Sequence, residues 1–346
     1  MNTQPVNPQP VSATAGNPTP VVPITDYVFP DLEPEKAVLG PLGVELRPAQ
    51  CHTPEEVHAH VQGADGLLVC YAPVPGDVIR SLEGCRIIAR YGIGVDNVDL
   101  AAATEMGIVV TNVPDYCVDE VSDHSLALLL ALSRKVPMAD RRVRGGEWSV
   151  PKLGPMRRLR GRTLGLVGFG KIPRALAPKA QAFGLRVIAY DPYFPAEQAA
   201  KMDVELVDLD ELLASSDLIS LHAPLTEETR ELVRAENIAK MKPGVLLVNT
   251  ARGPLVNIPD LVEGLRSGRI GGAALDVLPS EPAPAGSPLF EFENVILTPH
   301  SAWSSVEALK DLQAKAAEEV ARALQGQRPR CIVNPEVLER IDWFVD

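Results

Sequence analysis

Short apolar runs alternate with helix-spaced segments along almost the whole chain. Short, largely apolar stretches predict strands over 21–29, 44–47, 66–71, 86–91 and 108–113, with helix-like segments such as 54–62 and 78–82 between them. The alternation resumes with strands over 164–168, 186–190, 218–221, 245–249, 273–276 and 295–298. Strands buried on both faces read as continuous apolar runs, so both sets predict mostly parallel sheets with helices on either side. Between the sets lies 119–136, dense in leucine, with Asp119, Glu120 and Asp123 near its start and Arg134 and Lys135 near its end. That charge order suits the helix dipole. Such an apolar helix is expected to be buried on several sides, at the junction of two domains. A long amphipathic helix over 305–325 follows the last strand, and the segment from 329 to the end is expected to return to the first domain.

Composition narrows the class. The 346 residues are a soft prior for two domains. Residues 1–22 carry no charge and are rich in Pro, Asn, Gln and Thr, which predicts a disordered tail. A net charge of −12 argues against binding to nucleic acid or an anionic membrane. Five cysteines, Cys51, Cys70, Cys85, Cys117 and Cys331, are scattered without CxxC spacing. They predict reduced thiols in a cytoplasmic protein, with no disulfide framework and no metal site. No apolar stretch reaches the roughly 18 residues of a membrane span, and no secretory signal is expected at the N-terminus.

In open α/β sheets, ligands bind outside the carboxyl ends of the strands. In the second set those ends carry Gly168-Phe169-Gly170, Asp191, His222-Ala223-Pro224, Thr250-Ala251-Arg252, Asp276 and Pro299-His300. Gly168 would allow a tight turn, and Gly170 would let a pyrophosphate approach the start of the next helix. Asp191, at the spacing expected of a dinucleotide fingerprint, would accept hydrogen bonds from a ribose and repel a 2′-phosphate. With no arginine beside it in sequence, NAD is favoured over NADP. Taken alone, each feature also fits an ordinary strand–helix turn. Pro173 stands where the fingerprint has its third glycine, and Pro178 falls inside the same helix. A proline is tolerated in a first turn, although its ring should push the helix from the sheet. Inside a regular helix one costs about 3 kcal/mol.

Three residues could carry chemistry. The planar fork of Arg252 can grip a carboxylate. His300 suits proton exchange with a hydroxyl or carbonyl oxygen. Glu281, in Pro279-Ser280-Glu281-Pro282, could orient that ring. Each has a plain structural alternative; their order at successive strand ends favours a site.

These motifs carry a family likeness. Gly168-Phe169-Gly170 with Asp191, Asn249-Thr250-Ala251-Arg252-Gly253, Asp276-Val277 with Ser280-Glu281-Pro282, and Thr298-Pro299-His300 resemble the D-isomer-specific 2-hydroxyacid dehydrogenases. Arg90-Tyr91-Gly92-Ile93-Gly94-Val95-Asp96-Asn97-Val98-Asp99 belongs to the same pattern. Tyr71-Ala72-Pro73 and His300-Ser301-Ala302-Trp303 look most like the branch of the C-terminal-binding proteins, with phosphoglycerate dehydrogenases nearby. The resemblance implies an α/β fold of two doubly wound parallel-sheet domains. A Rossmann-type NAD-binding domain, 119–301, would be inserted in a flavodoxin-like substrate domain, 23–118 with 302–346.

The same resemblance implies an NAD-dependent oxidoreductase interconverting a D-2-hydroxy acid and its 2-keto acid. His300 would be the acid/base, Glu281 its partner, and Arg252 the anchor of the substrate carboxylate. Gly92, Ile93 and Gly94 would help hold that carboxylate, with Ile93 also touching the nicotinamide end. Tyr71 and Trp303 would line the side-chain pocket. Lys171 and Ile172 would approach the pyrophosphate. His222, Ala223, Pro224, Thr229, Thr250, Ala251 and Trp303 would border the cofactor, and Asp276 would meet the nicotinamide amide. Closure of two domains would exclude water. A homodimer is expected, with 145–160 (Trp148, Arg157 and Arg158) as a candidate arm, and no appended regulatory domain. The alternative is a non-catalytic, NAD(H)-sensing interaction protein of the co-repressor kind; the presence of Arg252, Glu281 and His300 together favours the enzyme.

Overall fold

The computed structural model describes residues 19–344. The chain divides into two compact units, crossing from one to the other between Tyr116 and Cys117 and returning between Ser304 and Ser305. The sequence places these crossings at 118/119 and 301/302. Of the expected tail, residues 1–18 lie outside the described residues, whereas Val21 and Val22 already form strand.

The first unit contains β1 (Val21–Ile24), β2 (Glu45–Pro48), β3 (Gly66–Val69), β4 (Ile87–Arg90) and β5 (Val109–Thr111). All pair in parallel in the order β2-β1-β3-β4-β5, the flavodoxin-like arrangement. β3 and β5 are buried throughout, and β3 accordingly carries no polar side chain. The helix Pro54–His60 begins on a reciprocal cap between Thr53 and Glu56, with Pro54 at its first position. It lays Val57 and Val61 on the core with Leu67, Val69, Ile88 and Val110. The segment that begins at Ser305 belongs to this unit. Ile332 bridges Thr111 antiparallel, and the buried Asn334 accepts from the Val110 amide at 2.8 Å and donates to Ile108 O at 3.0 Å. These bonds cover the β5 edge.

The second unit contains β6 (Thr163–Val167), β7 (Arg186–Tyr190), β8 (Val204–Leu206), β9 (Leu218–Leu221), β10 (Val245–Asn249), β11 (Ile270–Leu275) and β12 (Val295–Leu297). The parallel order is β12-β11-β10-β9-β6-β7-β8. This is the Rossmann order with one more edge strand, and the order in which strands are added reverses between β6 and β9. β8 is absent from the sequence prediction because only Val204 of its three residues is buried. Apolar clusters cover both faces of the sheet.

The leucine-rich segment forms the helix Val118–Arg134, stopped by Lys135 in the left-handed region (φ 53°). Val121, Ser125, Leu128, Leu129 and Leu132 are buried along one face, while Leu126 and Leu130 are only partly covered. The helix is therefore amphipathic rather than buried on several sides. A second helix, Val136–Arg144, follows.

The helix Lys171–Ala182 settles how the two prolines are accommodated. Pro173 is its third residue, where an N–H has no partner within the helix, and its ring is buried. Pro178 lies on the exposed side of a helix that continues to Ala182. The carbonyl it leaves without a donor, that of Arg174, is on the solvent side, where water can satisfy it.

Candidate active site

The reversal between β6 and β9 puts two loops side by side. Gly168 has φ +91°, and a Cβ there would sit 2.9 Å from the backbone C and O of His222. Glycine is thus required by conformation and by contact. Gly170 caps the helix Lys171–Ala182, and a Cβ there would meet nothing within 4 Å. The open space lies at the first-turn N–H groups of Lys171 and Ile172, a site suited to a pyrophosphate.

Asp191 makes the turn contacts that its position suggests. Its Oδ2 accepts from Phe169 N at 2.8 Å, and its Oδ1 accepts from Tyr193 N at 2.9 Å and Phe194 N at 3.1 Å. The carboxylate thereby ties the glycine loop to the end of β7, and Oδ2 retains a lone pair for a ribose hydroxyl. No arginine is near in sequence, but folding brings Arg174 over the Phe194 ring, 5.2 Å from its centroid. Its Nε donates to Gly170 O at 3.0 Å, so that guanidinium is held against the loop.

The other residues expected to border a cofactor follow β9 and β10. Burial pushes the His222 imidazole down to about 3, so the ring is neutral; its Nε2 pairs with Ser220 Oγ at 2.9 Å. Thr229 Oγ1 donates to Pro224 O at 2.7 Å and accepts from Thr226 N at 2.8 Å, folding the loop after Ala223 onto itself. Thr250 Oγ1 pairs with Ser125 Oγ at 2.8 Å, which fixes the end of β10 to the leucine-rich helix.

Arg252 is set by Asn249, which is fully buried. Asn249 Oδ1 accepts from Ala251 N at 3.0 Å and its Nδ2 donates to Arg252 O at 2.8 Å, while Arg252 Nη1 donates to Ala251 O at 2.7 Å. Gly253 comes next because a Cβ there would lie 1.9 Å from Leu278 C and 2.4 Å from Pro279 N. Backbone thus packs on backbone, bringing the Arg252 loop against the segment that carries Glu281.

Glu281 accepts from Leu278 N at 2.8 Å through Oε1, and its Oε2 lies 2.8 Å from His300 Nδ1. Burial would raise its carboxyl. The hydrogen bonds from His300 and Leu278, with the charges of His300 and Arg252, outweigh burial and hold it below the usual carboxylate range. An ionised Glu281 assigns the proton to Nδ1 and leaves Nε2 of His300 for exchange with a ligand. His300 itself has φ 53°, and its N–H donates to Asp276 O at 2.8 Å and Thr298 O at 3.0 Å.

Asp276, expected to meet the nicotinamide, is 2 % exposed and directs its carboxylate into the turn that holds His300. It accepts from Thr298 Oγ1 at 2.5 Å, Ser301 N at 2.9 Å and Ala302 N at 2.9 Å. Sequence reasoning passed over His124, whose Nε2 lies 3.2 Å from Thr298 Oγ1 and 3.7 Å from Asp276 Oδ1. Only its place in a leucine-rich helix could have signalled it. Trp303, half-buried, follows this turn.

In the first unit, the expected substrate residues follow β3 and β4. Tyr71 is 42 % exposed. The Gly92 N–H donates to Arg90 O at 2.9 Å. Its φ of 145° is a conformation that favours glycine. The Ile93 and Gly94 amides make no hydrogen bond among the described residues.

A Rossmann sheet whose carboxyl edge carries a helix-capping glycine loop, an arginine and a carboxylate–imidazole pair defines the class of dinucleotide-binding α/β proteins. Residues 126–302 match the model described as "D-isomer specific 2-hydroxyacid dehydrogenase, NAD binding domain". The chain is 41% identical over 292 residues to the D-3-phosphoglycerate dehydrogenase of Methanocaldococcus jannaschii, covering 84% of this chain and 55% of that one. It is 41% identical over 271 residues to the glyoxylate reductase of Korarchaeum cryptofilum, covering 77% and 81%. Among solved structures, the D-lactate dehydrogenase of Aquifex aeolicus complexed with NAD and lactic acid superposes with a TM-score of 0.81 at 28% identity, covering 92% and 97%. The chain belongs to the D-isomer-specific 2-hydroxyacid dehydrogenase family, and its inserted unit is the NAD-binding domain. It spans about half the length of the phosphoglycerate dehydrogenases it matches.

Proposed function

We propose that the protein is an NAD-dependent oxidoreductase that interconverts a D-2-hydroxy acid and its 2-keto acid. The observation that carries this reading is the 2.8 Å pair of Glu281 and His300 beside Arg252 at the carboxyl edge of the Rossmann sheet. The bound nicotinamide supplies or accepts the hydride. Arg252 holds the substrate carboxylate through parallel N–H bonds and draws density from the adjacent carbonyl. His300 donates its Nε2 proton to the carbonyl oxygen as the hydroxyl forms, and takes it back in the reverse direction. Glu281 keeps the ring oriented and stabilises it when it is charged. Ile93 and Gly94 offer two N–H groups for the role that the family pattern gives them. NADH oxidation across a panel of 2-keto acids tests the reading. Wild type should turn over at least one, Arg252→Ala should lose about 10- to 100-fold in kcat/KM, and equal rates in both would refute it.

The same reading includes a homodimer in the cytoplasm. Val136, Val143, Trp148 and Val150 are 57%, 46%, 88% and 72% exposed within one short stretch, an apolar surface suited to a second copy. The five cysteines are free, which accords with a reducing compartment. Among the described residues, no helix is long and apolar enough to cross a membrane. Sedimentation should give twice the monomer mass, and Trp148→Ser should shift it toward monomer. A wild-type monomer at micromolar concentration would refute the dimer.

A further inference from the structure

We propose that Asp26 and Asn97 are positioning residues that clamp the backbone of Cys70-Tyr71-Ala72 and so fix Tyr71 as the selector of the substrate side chain. The second half of this inference rests on the reading of Tyr71 as part of the substrate pocket. Asp26 follows β1 and is 7 % exposed. Its Oδ1 accepts from Cys70 N at 3.1 Å, Ala72 N at 3.1 Å and Thr25 Oγ1 at 2.8 Å, and its Oδ2 accepts from Tyr71 N at 2.7 Å. In a strand, successive N–H groups point to opposite sides. Three in a row can converge on one carboxylate only because the chain leaves β3 at Cys70 and curls into a nest.

Asn97 holds the same three residues from their carbonyl side. Its Nδ2 donates to Cys70 O at 3.2 Å and to Ala72 O at 2.9 Å, and its backbone O accepts from Val74 N at 2.8 Å. With both sides of the backbone held, the freedom left to Tyr71 is that of its side chain. The Arg90 guanidinium, 5.9 Å from the ring centroid, restrains that as well. A nearly buried carboxylate is costly unless its hydrogen bonds are satisfied, and a turn that merely closes a sheet needs no such group. The loop lies at the carboxyl ends of β1, β3 and β4, the ligand-binding edge of a doubly wound sheet. Because the nest is filled by Asp26, the amides of Cys70, Tyr71 and Ala72 are not offered to an anionic substituent. The substrate side chain meets the Tyr71 ring.

Two measurements test this, and they fail separately. Backbone hydrogen exchange reads the clamp without any turnover. Residues 70–72 should be protected in wild type and exchange at least tenfold faster in Asp26→Asn, with β3 unchanged; equal exchange overturns the clamp. The ratio of kcat/KM for phenylpyruvate to that for glyoxylate, which has no side chain, reads selection. Asp26→Asn should change this ratio at least fivefold, through KM rather than kcat. In a Tyr71→Ala background the same substitution should leave the ratio unmoved. An unchanged ratio, or a change of equal size without Tyr71, overturns the route through that ring. If Asp26→Asn does not fold, Asn97→Ala attacks the clamp from its carbonyl side with the same expected results. A wild type that reduces no 2-keto acid overturns the proposed reaction and the selector role with it, while exchange still decides the clamp.

Discussion

His300 has a positive φ of 53°, and the turn that holds it there is secured by its own N–H and by a buried carboxylate. Asparagine also tolerates this conformation. His300→Asn should therefore fold with little change in Tm while kcat falls about 10²- to 10⁴-fold, the usual contribution of a positioned acid/base. A comparable loss of Tm would mean that the ring is structural. At Glu281 the sign of the pH effect follows from a lowered carboxyl. Its contribution to stability is fully present above the ordinary carboxylate value of about 4.3 and is lost as pH falls through the folded value. The Tm difference between wild type and Glu281→Gln should shrink as pH falls below about 4. A difference that persists undiminished at about pH 3 would contradict a lowered Glu281 carboxyl.

Among elements, the loops after β10 and β11 are joined by one missing side chain. Gly253→Ala would drive a Cβ to 1.9 Å from Leu278 C, which is backbone and has nowhere to yield. The variant should lose about 1–3 kcal/mol of stability and most of its activity, although alanine touches no reacting atom. Wild-type turnover with an unchanged Tm would show that the two loops are not held by this contact. The strands themselves were legible in the sequence, because burial on both faces leaves continuous apolar runs such as Val245–Asn249. β8 was not, because an edge strand with one buried residue has no such signature. The closeness of Glu281 to His300 was legible from their residue types and their places after β11 and β12. Asp26, Asn97 and His124 were not, because they act by holding backbone or side chains far away in sequence. The bond from the Phe169 amide to Asp191 was hidden for the same reason.

For the whole molecule, Glu35 couples two helices of the first unit to the strand end that leads to the Gly92 loop. It accepts from Tyr91 Oη at 2.8 Å and from Gln313 Nε2 at 2.9 Å while fully buried. Burial raises its carboxyl more than those bonds lower it. A raised carboxyl contributes stability below about pH 4.3 that is lost as pH rises through the folded value. Relative to Glu35→Gln, wild type should lose Tm between pH 4 and pH 7, and a difference independent of pH would contradict a raised Glu35. The central claim, however, is hydride transfer assisted by His300. Its most direct measurement is a single turnover of a 2-keto acid with NADH deuterated at the transferred position, with the product examined for deuterium at C2. The proposed function predicts a D-2-hydroxy acid carrying one deuterium in wild type and at least a hundredfold slower labelling in His300→Ala. Unlabelled product, or equal rates in the two proteins, would contradict it.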